Sequence, residues 1–385
     1  MQIRIECGYR VGMSPRSVLI SGGGVAGPTL AYWLARHGFQ PTVVERSQGL
    51  RSSGNPVDVR GPALPVAEEM GIMPRLRDVA TQATTMSVVD ASGRQITRVA
   101  MPATRSAAGT REVELPRGDL AATLYEAARD DAEFLFDDTI VTLRQDEHGV
   151  DVTFDRAAPR RFDLVVGADG LHSTVRRLAF GPEPDFVRHM GVYVATMPLG
   201  DPVDHPHDVL MYNIPGRLVS IHPSRDHALA AFIFRGPAIS GFDHRDTEQH
   251  KRIVTKAYAG AGWRVPELLE RLQKTEDLYF DSVSQVRLPT WANGRIALLG
   301  DAASCVSLFG DGSSLAMAGA HTLAKALAAQ TADHTGAFRR YETEHRTLVD
   351  PKQRNIGRAA GLLIPKTRLG IAARNLAARV WLSRR

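Results

Sequence analysis

Val18-Leu19-Ile20-Ser21-Gly22-Gly23-Gly24-Val25-Ala26-Gly27-Pro28, with Thr42-Val43-Val44-Glu45-Arg46 following it, decides how this chain is built. The first run reads as a buried strand, a glycine turn and the start of a helix, and the second as a strand that ends in an acid. Gly22 permits the tight turn off the strand, Gly24 lets the backbone approach a pyrophosphate, and Gly27 lets the helix pack close to the strand. The phosphates then meet the unpaired N–H groups and positive dipole end of the helix. Pro28 suits a first helical turn, where no N–H is needed from it. Glu45 falls at about the ~20-residue distance at which a carboxylate accepts from a ribose hydroxyl. An acid there disfavours a 2′-phosphate, so the expected dinucleotide is NAD or FAD rather than NADP.

With 385 residues, the chain has room for two domains or one large domain carrying an inserted lobe. A hydrophobic fraction of 43% and a charged fraction of 23% are ordinary globular values. The net charge of +5 is modest for this length and implies no nucleic-acid partner. Cys7 and Cys305 make neither a disulfide framework nor a metal-site spacing, so no metal is expected and a reducing cytoplasm is the expected location. Met1 to Ser17 lack an apolar core segment and read as a leader, with Met13 a second candidate start. No window reaches the ~20 apolar residues of a membrane span. A soluble protein is expected, of undetermined oligomeric state.

Beyond the first βαβ unit, 47–65 is rich in Gly, Ser, Pro and Arg and reads as a long functional loop containing Arg60. Thr85–Val89 and Gln95–Val99 read as a hairpin about Ala91-Ser92-Gly93. From Gly181 to Val286 the texture becomes β-rich, interrupted by one helical stretch over Gln249–Gln273. The expected architecture is α/β: a Rossmann-like FAD-binding domain with an inserted β-sheet substrate lobe and C-terminal helices. The FAD-binding domain is assigned to 17–85, 100–180 and 287–335. The lobe takes 86–99 and 181–286, and the helices take 336–385. The last of these, over Thr367–Arg385, is basic and carries a stripe of Leu369, Ala373, Leu376, Val380 and Leu382 that is expected to dock across the two lobes, a membrane-surface helix being the second reading.

Three more motifs follow the fingerprint. Asp163-Leu164-Val165-Val166-Gly167-Ala168-Asp169-Gly170 lies on a strand and turn, with Ser173 and Arg176 behind it. Gly300-Asp301-Ala302-Ala303 follows an apolar strand and precedes Gly310-Asp311-Gly312 at a helix start, and Arg117 opens a helix after a proline. Four motifs in this order resemble the group A flavoprotein monooxygenases, the p-hydroxybenzoate hydroxylase-like family, over nearly all of the chain from Ser17 to Ala329. The loop Asn55–Pro62 and the compact length look most like the tetracycline-inactivating monooxygenases and related polyketide hydroxylases.

The resemblance implies that Gly22, Gly24, Val25, Ala26, Gly27 and Glu45 hold the ADP half of FAD, with Arg46 near the adenosine. It implies contacts of Arg60 and Arg117 with the cofactor, of Asp301 with the ribityl hydroxyls, and of the Gly310, Gly312 and Ser313 helix start with the pyrimidine edge of the flavin. Asp169 would serve FAD and reductant together. NADPH or NADH would visit transiently, as no second GxGxxG is present. The implied reaction inserts one atom of O2 into an aromatic or polyketide-like small molecule through a flavin C4a-hydroperoxide, with Met211, His222, Phe232 and Phe234 as pocket candidates. No catalytic side chain is assigned, because the flavin carries the chemistry.

The chain departs from the family pattern at Ser304-Cys305-Val306-Ser307-Leu308-Phe309, which lacks the usual proline. Cys305 there reads as a packing residue. Two other readings share the fingerprint: a flavin-dependent reductase of the geranylgeranyl type, and a non-catalytic FAD-binding protein.

Overall fold

The computed structural model describes residues 16–49, 56–100, 112–200, 205–223, 228–305, 311–330 and 333–382. Cys7, Asn55, Gly310 and the segment 306–309 lie outside them.

A six-stranded sheet carries the fingerprint. Its order is β17 (Ala292–Asn293), β18 (Ile296–Leu298), β11 (Leu164–Gly167), β1 (Ser17–Ser21), β2 (Gln40–Glu45) and β7 (Glu133–Phe136), parallel except for the β17–β18 pair. The chain leaves β1 towards β2 on one side, while β11 pairs on the other. The carboxyl end of β1 is thus a topological switch point, where open α/β sheets bind ligands. Val18, Leu19, Ile20, Val165, Val166 and Leu298 are fully buried, as expected of strands covered on both faces. Helices α1 (Ala26–Arg36) and α4 (Arg117–Ala128) pack together, and α1 also packs on the long helix α9 (Asp311–Ala329).

The stretch expected to be a long loop contains β3 (Val57–Val59) and the start of α2 (Ala63–Glu69). β3 pairs with β6 (Val113–Leu115), and α3 (Met73–Asp78) follows α2. A three-residue strand set among turn-forming residues leaves no periodicity to read. A small antiparallel sheet of β8 (Ile140–Gln145), β9 (Val150–Phe154) and β10 (Arg160–Phe162) precedes β11, and α5 (Thr174–Ala179) follows it.

The second large sheet has seven strands: β16 (Tyr279–Val286), β12 (Val187–Pro198), β15 (Leu229–Arg235), β14 (Arg217–His222), β13 (Asp208–Ile214), β4 (Thr85–Val89) and β5 (Gln95–Ala100). One face, with Tyr193, Ala195, Tyr212, Phe232 and Phe234, packs in a core with Val254 and Tyr258 of α6 (Thr247–Tyr258) and Val265, Leu268 and Leu272 of α7 (Val265–Lys274). The other, with Val192, Val194, Met211 and Leu218, packs against Ala360 and Ile364 at the end of α10 (His334–Leu363).

The helical stretch expected over Gln249–Gln273 is two helices. Gly260 sits at φ +74° and Trp263 at φ +55°, left-handed conformations that end a helix, and Pro266 opens the next one. The short helix α8 (Asp301–Ser304) follows β18, and α11 (Arg368–Leu382) ends the described chain, packed on β5 and β13.

Candidate functional site

The glycine turn behaves as its residue types demand. Gly22 sits at φ +113°, with no room for a Cβ against the Ala168 carbonyl, and its N–H donates to the Val44 carbonyl at 2.8 Å. A Cβ on Gly27 would collide with the Gly22 carbonyl oxygen. Gly24 differs, because nothing lies within 4 Å of the place its Cβ would occupy. The turn therefore surrounds open space at Gly24, while Gly22 and Gly27 are sterically fixed. Val25 and Ala26 are buried at the start of α1. Glu45 closes the turn, accepting from the Gly23 N–H at 2.7 Å and from the Ser47 N–H at 2.9 Å. A carboxylate offers about four lone-pair positions, so acceptor capacity remains for a ribose hydroxyl. Arg46 is exposed beside it.

The two later motifs meet this turn. Gly300, at φ +62°, is so close to α1 that its Cβ would lie 3.3 Å from that of Ala26. Asp301 opens α8. Burial raises its pKa above the ordinary carboxyl range, with Arg117 working against the shift and the Cys305 thiol donating to it. Gly312 faces this carboxylate, 3.8 Å from Asp301 Oδ1 to where a Cβ would stand. Arg117 is exposed at the first position of α4. Cys305 is buried.

Asp169 has a local task. Its carboxylate accepts from Ser173 Oγ at 2.5 Å and from the backbone N–H groups of Thr174 and Val175 at 2.8 and 3.1 Å. It thereby supports the N-terminus of α5. Burial raises its pKa, against these hydrogen bonds. Arg176, fully buried, donates to the carbonyls of Ala302 at 3.0 Å and Leu171 at 2.5 Å, tying the turn after β11 to α8.

Arg60 fixes the start of α9. Its guanidinium pairs with Asp311 at 2.7 Å and Asp58 at 3.3 Å, and its N–H donates to Ser314 Oγ at 3.1 Å. Lys352 of α10 adds a 2.9 Å pair to Asp311. Although burial opposes it, these cations lower the pKa of Asp311. The Ser313 hydroxyl donates to the Asp58 carbonyl at 2.8 Å, which ties the first turn of α9 to β3.

The pocket candidates divide between the two sheet faces. Phe232 and Phe234 lie on the α6 side, edge-on to Tyr258 at 5.2 and 5.8 Å, and belong to that core rather than to a ligand wall. Met211 and His222 lie on the opposite face, Met211 buried among residues that include Ile364. His222 Nε2 lies 2.9 Å from Ser220 Oγ, and burial pushes its pKa down to about 4, so the ring is neutral at physiological pH.

Strand register reveals a row of which the sequence reading named only Met211. Tyr279, Thr196, Ala231, Ser220 and Met211 are successive cross-strand partners on one face. Thr196 is fully buried and its Oγ1 has no hydrogen-bond partner. Burial raises the pKa of Tyr279, with further influence from Asp281, Arg117, Asp301 and Cys305, which places its phenol within electrostatic reach of the Asp301 motif.

The switch-point glycine turn and the Asp301 helix together define a dinucleotide-binding flavoprotein. Open space at Gly24, a half-buried acid at Asp301 and a helix start beside Gly312 fit an FAD. Residues 16–350 match the family model for the FAD binding domain. A flavin-dependent monooxygenase of Legionella longbeachae is 35% identical over 343 residues, covering 88% of this chain and 87% of that protein. An uncharacterized protein of Mycobacterium tuberculosis is 40% identical over 342 residues, covering 88% and 92%. The crystal structure of tetracycline destructase Tet(51) matches with a TM-score of 0.83 at 30% identity, covering 94% of this chain and 95% of that one. The chain belongs to the FAD-dependent monooxygenases, enzymes with the p-hydroxybenzoate hydroxylase type of α/β fold. Among the described residues no helix is long and apolar enough to cross a membrane.

Proposed function

We propose that the enzyme oxidises NAD(P)H and inserts one oxygen atom of O2 into an aromatic or polyketide-like small molecule, the second atom leaving as water. The observation that carries this reading is the buried, unpartnered Thr196 hydroxyl, in a cross-strand row that ends at Tyr279 within electrostatic reach of Arg117 and Asp301. An apolar sheet face with a few polar groups beside the cofactor motifs suits a flat, mostly apolar ligand bearing oxygen substituents. Two of the relatives whose structures are known at 30% and 32% identity, Tet(51) and Tet(55), are tetracycline destructases, which supports a polyketide-like substrate.

In this reading Gly22, Gly24, Gly27 and the N-terminus of α1 hold the pyrophosphate, and Glu45 takes the ribose. Asp301 and Arg117 take the ribityl and phosphate region, and the Gly312–Ser313 N–H groups take the pyrimidine edge. Bound there, the flavin supplies hydride acceptance from NAD(P)H and O2 activation at its C4a carbon. The protein binds and orients the substrate, excludes water, and presents neutral His222, hydrogen-bonded to Ser220, as a polar group on the substrate face. The presence of few cysteines supports a cytoplasmic setting.

The test is anaerobic reduction of the purified protein followed by stopped-flow mixing with oxygenated buffer. A transient near-ultraviolet band before the oxidised flavin spectrum returns is the expected result. Substrate turnover that proceeds without oxygen would instead assign the reductase reading.

A further inference from the structure

Helix α11 is mounted with its polar side inward. Asn375 is buried, and Arg374 donates to the carbonyls of Leu362 and Leu363 at 3.4 and 3.2 Å and to Asn213 Oδ1 at 2.9 Å. The opposite side carries Leu369, Ala372, Ala373 and Leu376, a spacing of i, i+3, i+4 and i+7, and all four are exposed. The stripe expected to dock on protein therefore faces solvent at Leu369, Ala373 and Leu376. Leu369 is 83% exposed and Leu376 62%, and Leu362 at the end of α10 is 65% exposed. These three are the most exposed large apolar side chains among the described residues.

The segment that carries this face has charges of one sign. Residues 366–385 contain Lys366, Arg368, Arg374, Arg379, Arg384 and Arg385 and no Asp or Glu. Lys366 and Arg368 are exposed next to the apolar stripe.

We propose that α11 is the docking face for an anionic lipid surface. A helix that lies in the membrane interface needs an apolar side that enters the headgroup boundary and cations that meet anionic headgroups. The solvent side of α11 supplies the first and its flanks the second. A second copy fits less well, because a two-fold contact would bring two cationic segments without acids against each other. A fluid lipid surface also accepts shallow Leu and Ala side chains, whereas stable protein interfaces centre on deep aromatic or Arg anchors.

The full-length, FAD-loaded protein is co-sedimented with vesicles of phosphatidylglycerol mixed into phosphatidylcholine, and with phosphatidylcholine alone. Binding to the anionic vesicles is expected, falling at least about tenfold in the L369S/L376S double variant and again at raised ionic strength. Both substituted side chains are exposed, so flavin content and melting temperature report that the variant is folded. K366E/R368E provides a second route to the same loss. Absence of binding to anionic vesicles at low salt overturns the proposal, as does unchanged binding by both variants. A concentration-dependent dimer that L369S/L376S dissolves also overturns it and assigns the face to a second copy.

Discussion

His172, in the turn after β11, and Asp281, on β16 of the seven-stranded sheet, lie 3.3 Å apart as an ion pair that bridges the two large sheets. The other ring nitrogen of His172 meets Glu183 at 3.0 Å, and the ring stacks on His244 at 4.3 Å. Desolvation of the partly enclosed ring opposes its charge, yet Asp281 and Glu183 push its pKa up to about 9. In turn, burial, His172 and Arg46 lower the pKa of His244.

This arrangement predicts a pH-dependent stability. A histidine that holds its proton more tightly when folded stabilises the protein fully below its unfolded pKa of about 6.5, and that stabilisation is lost as pH rises through about 9. The contribution is on the order of 2–3 kcal/mol at pH 6. Melting temperatures of wild type and His172→Gln should differ most near pH 6 and converge above pH 9. A constant difference across that range would remove the charge as the cause.

The two glycines of the turn should fail differently. Gly27→Ala drives a Cβ into the Gly22 carbonyl oxygen and should destabilise the apoprotein by on the order of 3 kcal/mol as well as abolish FAD binding. Gly24→Ala meets open space, so apoprotein melting should be nearly unchanged while FAD affinity falls at least about tenfold. Apoprotein calorimetry and the ratio of flavin to protein absorbance read the two effects separately.

Arg60→Ala should loosen the start of α9. It removes pairs to Asp58 and Asp311 and leaves Asp311 to Lys352 alone. A loss of about 1–3 kcal/mol is expected, together with weaker FAD binding. Full retention of FAD affinity would separate this cluster from the cofactor site.

Thr196→Val exchanges a buried hydroxyl with no partner for a methyl group of similar shape. Removing an unsatisfied polar group is neutral or stabilising, so the free enzyme should melt at the same or a higher temperature. If that hydroxyl meets the substrate, KM for an oxygenated aromatic should rise about five- to tenfold. Phe232→Ala is the contrasting change, costing about 3–5 kcal/mol of stability because the ring is fully buried against Tyr258.

The fingerprint was legible because its reasons are local. Whether Gly22 or Gly27 tolerates a Cβ depends on atoms a few residues away or on the adjoining strand, and their spacing declares it. The Tyr279–Thr196–Ser220 row was not legible, because only the register of strands far apart in sequence brings those residues onto one face. Alternation marked Phe232 and Phe234 as sharing a face but could not say which face α6 would cover. For α11 the apolar stripe was visible, and its direction was not. That direction depends on what Arg374 finds inside the fold, the carbonyls at the end of α10 and Asn213 of β13.

The parallel pairing of β4 with β13, Thr85 to Val89 against Asp208 to Tyr212, has a consequence for how the chain acquires its structure. A strand made early must wait at the sheet edge until its neighbour has been synthesised, more than a hundred residues later by those numbers. Such non-local pairing slows folding and leaves strand edges open in the meantime. On the ribosome, the hairpin of β4 and β5 is therefore a segment that needs shielding before the rest of its sheet arrives.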